Sequence, residues 1–135
     1  MKYIKGPIGA HLRLSALILP LFAASCSDGC DNEIFEKIVA PGGAVSAVIF
    51  SRGCGATTAH NIQISIVSSG VPDGAGNVFV ADGHIPGRPG PQALDVRWLS
   101  PRNLQISYAP ELRVFKSRTT LKGVDIRYST SVPAK

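Results

Sequence analysis

The sequence predicts an all-β antiparallel domain, either a small sandwich or a strongly twisted meander of about seven short strands. Three observations predict it. Short apolar stretches recur with a period of two, and no window places apolar residues at helical spacing over three turns. Turn residues close these stretches about every ten positions, a spacing typical of sandwiches. The stretches are rich in Val and Ile, whose branched Cβ suits a pleated surface.

The elements follow in order along the chain. Residues 34–40 (IFEKIVA) run into Pro41-Gly42-Gly43, a turn signal, and then into 44–52 (AVSAVIFSR). Residues 61–68 (NIQISIVS) alternate, with Ile62, Ile64 and Ile66 on one face and Gln63 and Ser65 on the other. That pattern predicts a sheet with one dry and one wet face. A Gly-rich loop leads to 77–82 (NVFVAD). Residues 93–99 (ALDVRWL) and 104–109 (LQISYA) flank the tight turn Ser100-Pro101-Arg102-Asn103. Stretches at 112–117 and 123–129 complete the set, the last setting Val124, Ile126 and Tyr128 against Asp125, Arg127 and Ser129.

Ahead of this domain, residues 1–25 read as an export signal. Lys2, Lys5 and Arg13 form a basic region, followed by the apolar run 14–24 (LSALILPLFAA). A bilayer-spanning helix needs about 20 apolar residues, so this run is too short and contains Pro20 besides. Ala23-Ala24-Ser25-Cys26 resembles a bacterial lipobox, in which the cysteine becomes the acylated first residue of the mature protein. Ala23 stands where lipoboxes usually carry Leu, and ordinary cleavage after Ser25 is the alternative. Lipidation of Cys26 implies a membrane partner at the exported face of a bacterial envelope. Ser27, rather than Asp, after the cysteine favours the outer membrane by resemblance to Gram-negative sorting. Residues 26–33 then form a polar tether, 34–130 the β domain and 131–135 a C-terminal tail.

The chain has 3 Cys, an odd number that calls for an explanation in an exported protein. With Cys26 lipidated, Cys30 and Cys54 remain as a pair for an oxidising compartment; Cys26 with Cys30 is the competing pairing, leaving Cys54 free. The segment Cys54-Gly55-Ala56-Thr57-Thr58-Ala59-His60 brings a thiol, two hydroxyls and an imidazole together. Its structural reading is a turn at Gly55 with backbone-bonded threonines. Its catalytic reading makes Cys54 a nucleophile with His60 as base, which requires a free thiolate.

Asn32-Glu33-Ile34, Pro41-x-Gly43, Cys54-Gly55-Ala56-Thr57-Thr58, Gly76-Asn77-Val78-Phe79-Val80 and Val96-x-Trp98 occur in one order. This order resembles a family of small bacterial exported proteins and lipoproteins with a Cys-Gly-Ala-Thr-Thr core, over most of residues 30–130. The family has no established activity, so the resemblance implies an address and no catalytic residue. Ala40-Pro41-Gly42-Gly43 replaces the Ser-Pro-Asp-Gly turn associated with it.

The formal net charge is +5, but the first 25 residues hold three basic groups and no acid. The remainder carries eleven basic and nine acidic groups, which gives no case for a nucleic-acid partner. Charge is lopsided within it: residues 26–92 hold three basic and six acidic groups, residues 93–135 eight and three. Arg97 and Arg127 fall on solvent faces of strands, and Arg102 and Lys122 in turns. With Arg113, Lys116 and Arg118 they outline a basic strip for a protein or anionic headgroups, against the alternative of a solvated face paired through Asp95 and Asp125. Asp82 and His84 fall short of any metal-ligand spacing, and no cofactor fingerprint is present. The prolines of 83–92 (GHIPGRPGPQ) include one P-x-x-P spacing, Pro86 to Pro89, in what reads as a stiff loop.

No G-x-S-x-G elbow, H-E-x-x-H, P-loop or dinucleotide fingerprint occurs, so the expectation is a non-enzymatic binding domain on a lipid anchor. The alternatives are a thiol enzyme using Cys54 and His60, or an inhibitor of an envelope enzyme. An inhibitor of a basic enzyme would have only the acidic patch near Asp28, Asp31, Glu33 and Glu36 to use.

Overall fold

The computed structural model describes residues 29–55, 61–83, 85, 87 and 89–131. Among these residues nine strands form two sheets. The first five are β1 (Asp31–Val39), β2 (Ser46–Gly53), β3 (Asn61–Val67), β4 (Phe79–Asp82) and β5 (Leu94–Ser100). The last four are β6 (Asn103–Tyr108), β7 (Arg113–Ser117), β8 (Thr120–Leu121) and β9 (Val124–Ser129). One sheet has the order β1-β2-β3-β4-β7, the other β5-β6-β9-β8. The all-β sandwich is therefore present, mostly antiparallel. The exception is β6, which pairs with β9 in parallel. Parallel neighbours need a crossover, and the chain supplies it by passing through β7 in the opposite sheet.

The inner faces are the dry sides of the alternation. Ala47, Ile49, Ile62, Ile64, Ile66, Phe79 and Ala81 from the larger sheet meet Val96, Leu104, Ile106, Val124 and Ile126 from the smaller. The Phe79 ring lies 5.4 Å from that of Tyr108 and 6.1 Å from that of Tyr128, tying the layers at the centre.

The outer face of the larger sheet departs from the wet face that the alternation of 61–68 predicts. Gln63 is 6% exposed and Ser65 only 1%. On the neighbouring strand, the outward residues Val48 and Phe50 are fully buried. The cover is the β3–β4 loop, which folds back over the sheet and is held by side chains rather than by an apolar core of its own. Asn32 donates to the carbonyls of Pro72 and Gly74, Lys37 to Gly70 and Lys116 to Gly76. Gln63 Oε1 accepts from the Gly76 amide at 2.6 Å, and Ser65 Oγ from the Asn77 amide at 3.1 Å. Gly76 is required here: a Cβ on it would stand 2.6 Å from the Phe79 carbonyl oxygen and 3.1 Å from Gln63 Cβ. The polar half of the alternating pattern thus became a set of loop anchors, as buried polar groups must be bonded.

Beyond shifts of one or two residues at strand ends, three more features differ from the sequence reading. β1 begins at Asp31, inside the segment assigned to the tether, because Asp31, Asn32 and Glu33 already pair with Gly53, Arg52 and Ser51. Residues 77 and 78 lie outside β4; the Asn77 side chain instead pairs with the amide and carbonyl of Ile66, standing in for a peptide group. β8, at two residues, was not expected from the pattern.

Sheet edges are blunted. β1, β5 and β7 each carry an extra residue, at Phe35, Leu99 and Phe115, where the pairing register shifts. All three are exposed large apolar residues. β8, at the fourth edge, is very short. Bulges and short edges interrupt the row of open backbone groups that would otherwise template aggregation.

Candidate functional site

Cys30 and Cys54 form a disulfide. It flanks the first rung of the β1–β2 ladder, Asp31 opposite Gly53, and so closes the open end of the first hairpin. A Cys54 bonded in this way has no thiolate for nucleophilic attack. Residues 56–60, and with them Thr57, Thr58 and His60, lie outside the described residues, as do His84, Pro86, Arg88, Cys26 and Ser27.

The residues of the expected basic strip do not share a face. Arg97 and Arg127 both stand opposite Gln105 on the outer face of the smaller sheet. Arg97 is engaged by Asp95 on its own strand, at 2.6 Å. Arg102 sits in the β5–β6 turn and donates to the carbonyl of Gly123. Lys122 occupies the β8–β9 turn with φ 51°, and its ammonium reaches Ser68 Oγ at 3.4 Å. Arg113 and Lys116 belong to β7 in the other sheet, opposite Asp82 and Val80. Their outward side is the far side of the sandwich from Arg97 and Arg127. Lys116 is committed to the Gly76 carbonyl. Arg113 makes a two-pronged contact with Asp82, Nε to Oδ1 at 3.1 Å and Nη2 to Oδ2 at 2.8 Å, and stacks 4.8 Å above the Phe115 ring. Those hydrogen bonds hold the Asp82 carboxyl below its ordinary range, with the Arg113 charge adding to them against some desolvation. The strip is therefore two separate sets, because β7 crosses to the opposite sheet.

Concave surface lies elsewhere, along the side where β1 faces residues 89–96, the stretch that leads into and begins β5. The sheets are latched at one point by Trp98 Nε1, which donates to the Ile38 carbonyl at 3.0 Å. Below this latch they part into a cleft with two compartments. The first, about 200 Å³, is lined by Glu33, Phe35 and Ser51 on one wall and by Ile85, Pro89, Gly90 and Leu112 on the other. The second, about 210 Å³, lies between Glu36 and Ile49 on one side and Pro91, Gln92, Leu94, Asp95 and Val96 on the other. Phe35 stands close to the opposite wall; a Cβ on Gly90 would be 4.0 Å from its ring. Among the described residues no lysine or arginine lines either compartment. Glu33 and Glu36 have no cationic partner among them either.

The sequence reading names Glu33 and Glu36 only as part of an acidic patch. Nothing in the sequence singles out Phe35, Ser51 or Gln92, and Asp95 reads there only as an ion-pair partner, since the two walls are some 60 residues apart and nothing in spacing joins them. Among the described residues there is no cluster of three or more metal-ligating side chains and no helix long and apolar enough to cross a membrane. Comparison with protein-family models, curated proteins and solved structures yields no match, so the site is read from its own geometry.

Proposed function

We propose that this chain is an exported bacterial envelope protein, anchored by acylation of Cys26, whose sandwich acts as a non-catalytic binding domain. The observation that carries the reading is the Cys30–Cys54 disulfide. Such bonds form and persist in oxidising compartments, and this one consumes the thiol on which the catalytic alternative depends. It leaves Cys26, at the end of a short apolar leader, as the remaining cysteine. Three residues separate Cys26 from Cys30, four steps that span at most about 14 Å of extended chain, which keeps the disulfide end of the sandwich near the anchored residue. The basic turn residues Arg102 and Lys122 belong to the opposite end. A seven-residue strand is about 23 Å long, well beyond the screening length of about 8 Å. An upright domain therefore presents these residues to a protein rather than to its own membrane.

The test is fractionation of the host expressing the wild type and Cys26→Ala. The wild type is expected to partition with membranes and to enter the detergent phase. Cys26→Ala is expected to lose both properties while keeping its disulfide. Equal membrane retention of the two would overturn the anchor.

A further inference from the structure

We propose that the cleft between β1 and residues 89–96, the stretch that leads into β5, captures an extended, lysine- or arginine-bearing segment of a partner protein. This rests on the reading of the sandwich as a binding domain and names the chemistry of its ligand.

Size comes first. Small-molecule and cofactor pockets run from about 300 Å³ upward, whereas the compartments here are about 200 and 210 Å³. Each accommodates a side chain rather than a cofactor. Two of them in one cleft suit two side chains of one chain.

Charge selects which side chains. Glu33 borders the first compartment; Glu36 and Asp95 border the second. Asp95 already holds Arg97, so among the described residues the acceptors without a cation are Glu33 and Glu36. They are three residues apart in sequence, but the bulge at Phe35 leaves them two rungs apart, opposite Ser51 and Ile49, or about 7 Å along the strand. Side chains two apart on an extended ligand repeat at about the same 7 Å. The first compartment has apolar walls, Phe35, Ile85 and Leu112, along which a methylene stem packs while the charged head stays at the acidic rim; the second is mostly polar.

The structure also sets the binding mode. The bulge at Phe35 interrupts the free edge of β1, and Trp98 occupies the carbonyl of Ile38. A partner strand therefore cannot add in continuous register, and recognition falls to side chains. Binding carried by rim charges is sensitive to ionic strength.

The experiment uses the full chain isolated from host membranes in a nonionic detergent, with its disulfide intact. Fluorescence anisotropy is measured with a labelled hexapeptide alternating lysine and alanine, and with its glutamate counterpart. The lysine peptide is expected to bind, the glutamate peptide not, and a tenfold rise in salt should weaken binding several-fold. Glu33→Gln/Glu36→Gln together are expected to lower affinity at least tenfold. Asp125→Asn, on the outer face of the smaller sheet, should leave it unchanged. Absence of lysine-peptide binding would overturn the proposal, as would equal binding of the glutamate peptide. An Asp125→Asn loss as large as that of the double variant would also overturn it, by reducing binding to overall charge. Each of these failures leaves the membrane partition of wild type and Cys26→Ala untouched, so the anchor reading stands or falls separately.

Discussion

Replacing Gly76 by alanine tests the claim that the β3–β4 loop is a built part of the fold rather than a loose connection. Gly76 is buried, and its missing Cβ leaves room that no side chain can share. The added carbon would stand 2.6 Å from the Phe79 carbonyl oxygen and 3.1 Å from both Gln63 Cβ and Val80 Cγ2. Two of these neighbours are backbone or near-backbone atoms of paired strands, so the loop must move instead. Its movement stretches the 2.6 Å bond from the Gly76 amide to Gln63 and the 2.8 Å bond from Lys116. Overpacking costs about 1–3 kcal/mol, and an unsatisfied buried amide about 1–3 kcal/mol more. The unfolded-state gain from removing a glycine returns about 0.4–1 kcal/mol. The expected net loss is about 2–4 kcal/mol, and with about 4–8 °C per kcal/mol for a domain of this size the Tm should fall by at least roughly 10 °C. Thermal and urea unfolding of the oxidised protein measure it. Gly74→Ala is the control, since nothing lies within 4 Å of its Cβ position and its φ is not positive; it should stay within about 0.5 kcal/mol of wild type. A Gly76→Ala protein as stable as the Gly74→Ala control would refute the reasoning.

Other outcomes follow from the same structure. Phe50→Ala should cost about 3–5 kcal/mol, as for a core residue, although its side chain points away from the main core; a loss under 1 kcal/mol in urea unfolding would mean the loop does not seal that face. Cys30→Ser/Cys54→Ser should lose about 3 kcal/mol, the loop-closure value for a sequence separation of 24, and the wild type under reductant should melt with it. Asp82 has a folded pKa below its unfolded value, so its contribution is present at neutral pH and is lost as pH falls below about 4. Asp82→Asn should flatten that part of the acid unfolding profile. Burial, and secondarily the neighbouring Tyr108, push the Tyr128 phenol far up, and its hydroxyl donates to the Arg118 carbonyl at 2.6 Å. A raised folded pKa means stability that is present below about pH 10 and lost above it. Absorbance titration should therefore show Tyr128 ionising together with unfolding, and the high-pH loss should shrink in Tyr128→Phe.

The strand pattern was legible because period-two alternation records which side chains face the core, and the Ile62, Ile64 and Ile66 set packs as the alternation requires. The turns at Pro41-Gly42-Gly43 and at 100–103 were legible from residues that favour tight reversals. The covered outer face was not. Gln63 and Ser65 look the same in a sequence whether they meet water or a backbone amide of a folded-back loop, and the loop itself carries the Gly and Pro of any exposed connection. The separation of Arg113 and Lys116 from Arg97 and Arg127 was equally hidden, because alternation assigns a face within a sheet but not which sheet a strand joins. The cleft escaped for a related reason: Glu36 and Asp95 line one compartment only when two end strands from different sheets are stacked.

The most direct test of the account is an intact mass of the protein from the host's membrane fraction, with and without reductant. The account expects a chain beginning at Cys26, heavier by its acyl groups, that gains two hydrogen atoms from the reductant as the Cys30–Cys54 bond opens. An unlipidated chain in which Cys54 is alkylated without reduction would contradict it, and would return attention to Cys54 and His60 as a reactive pair.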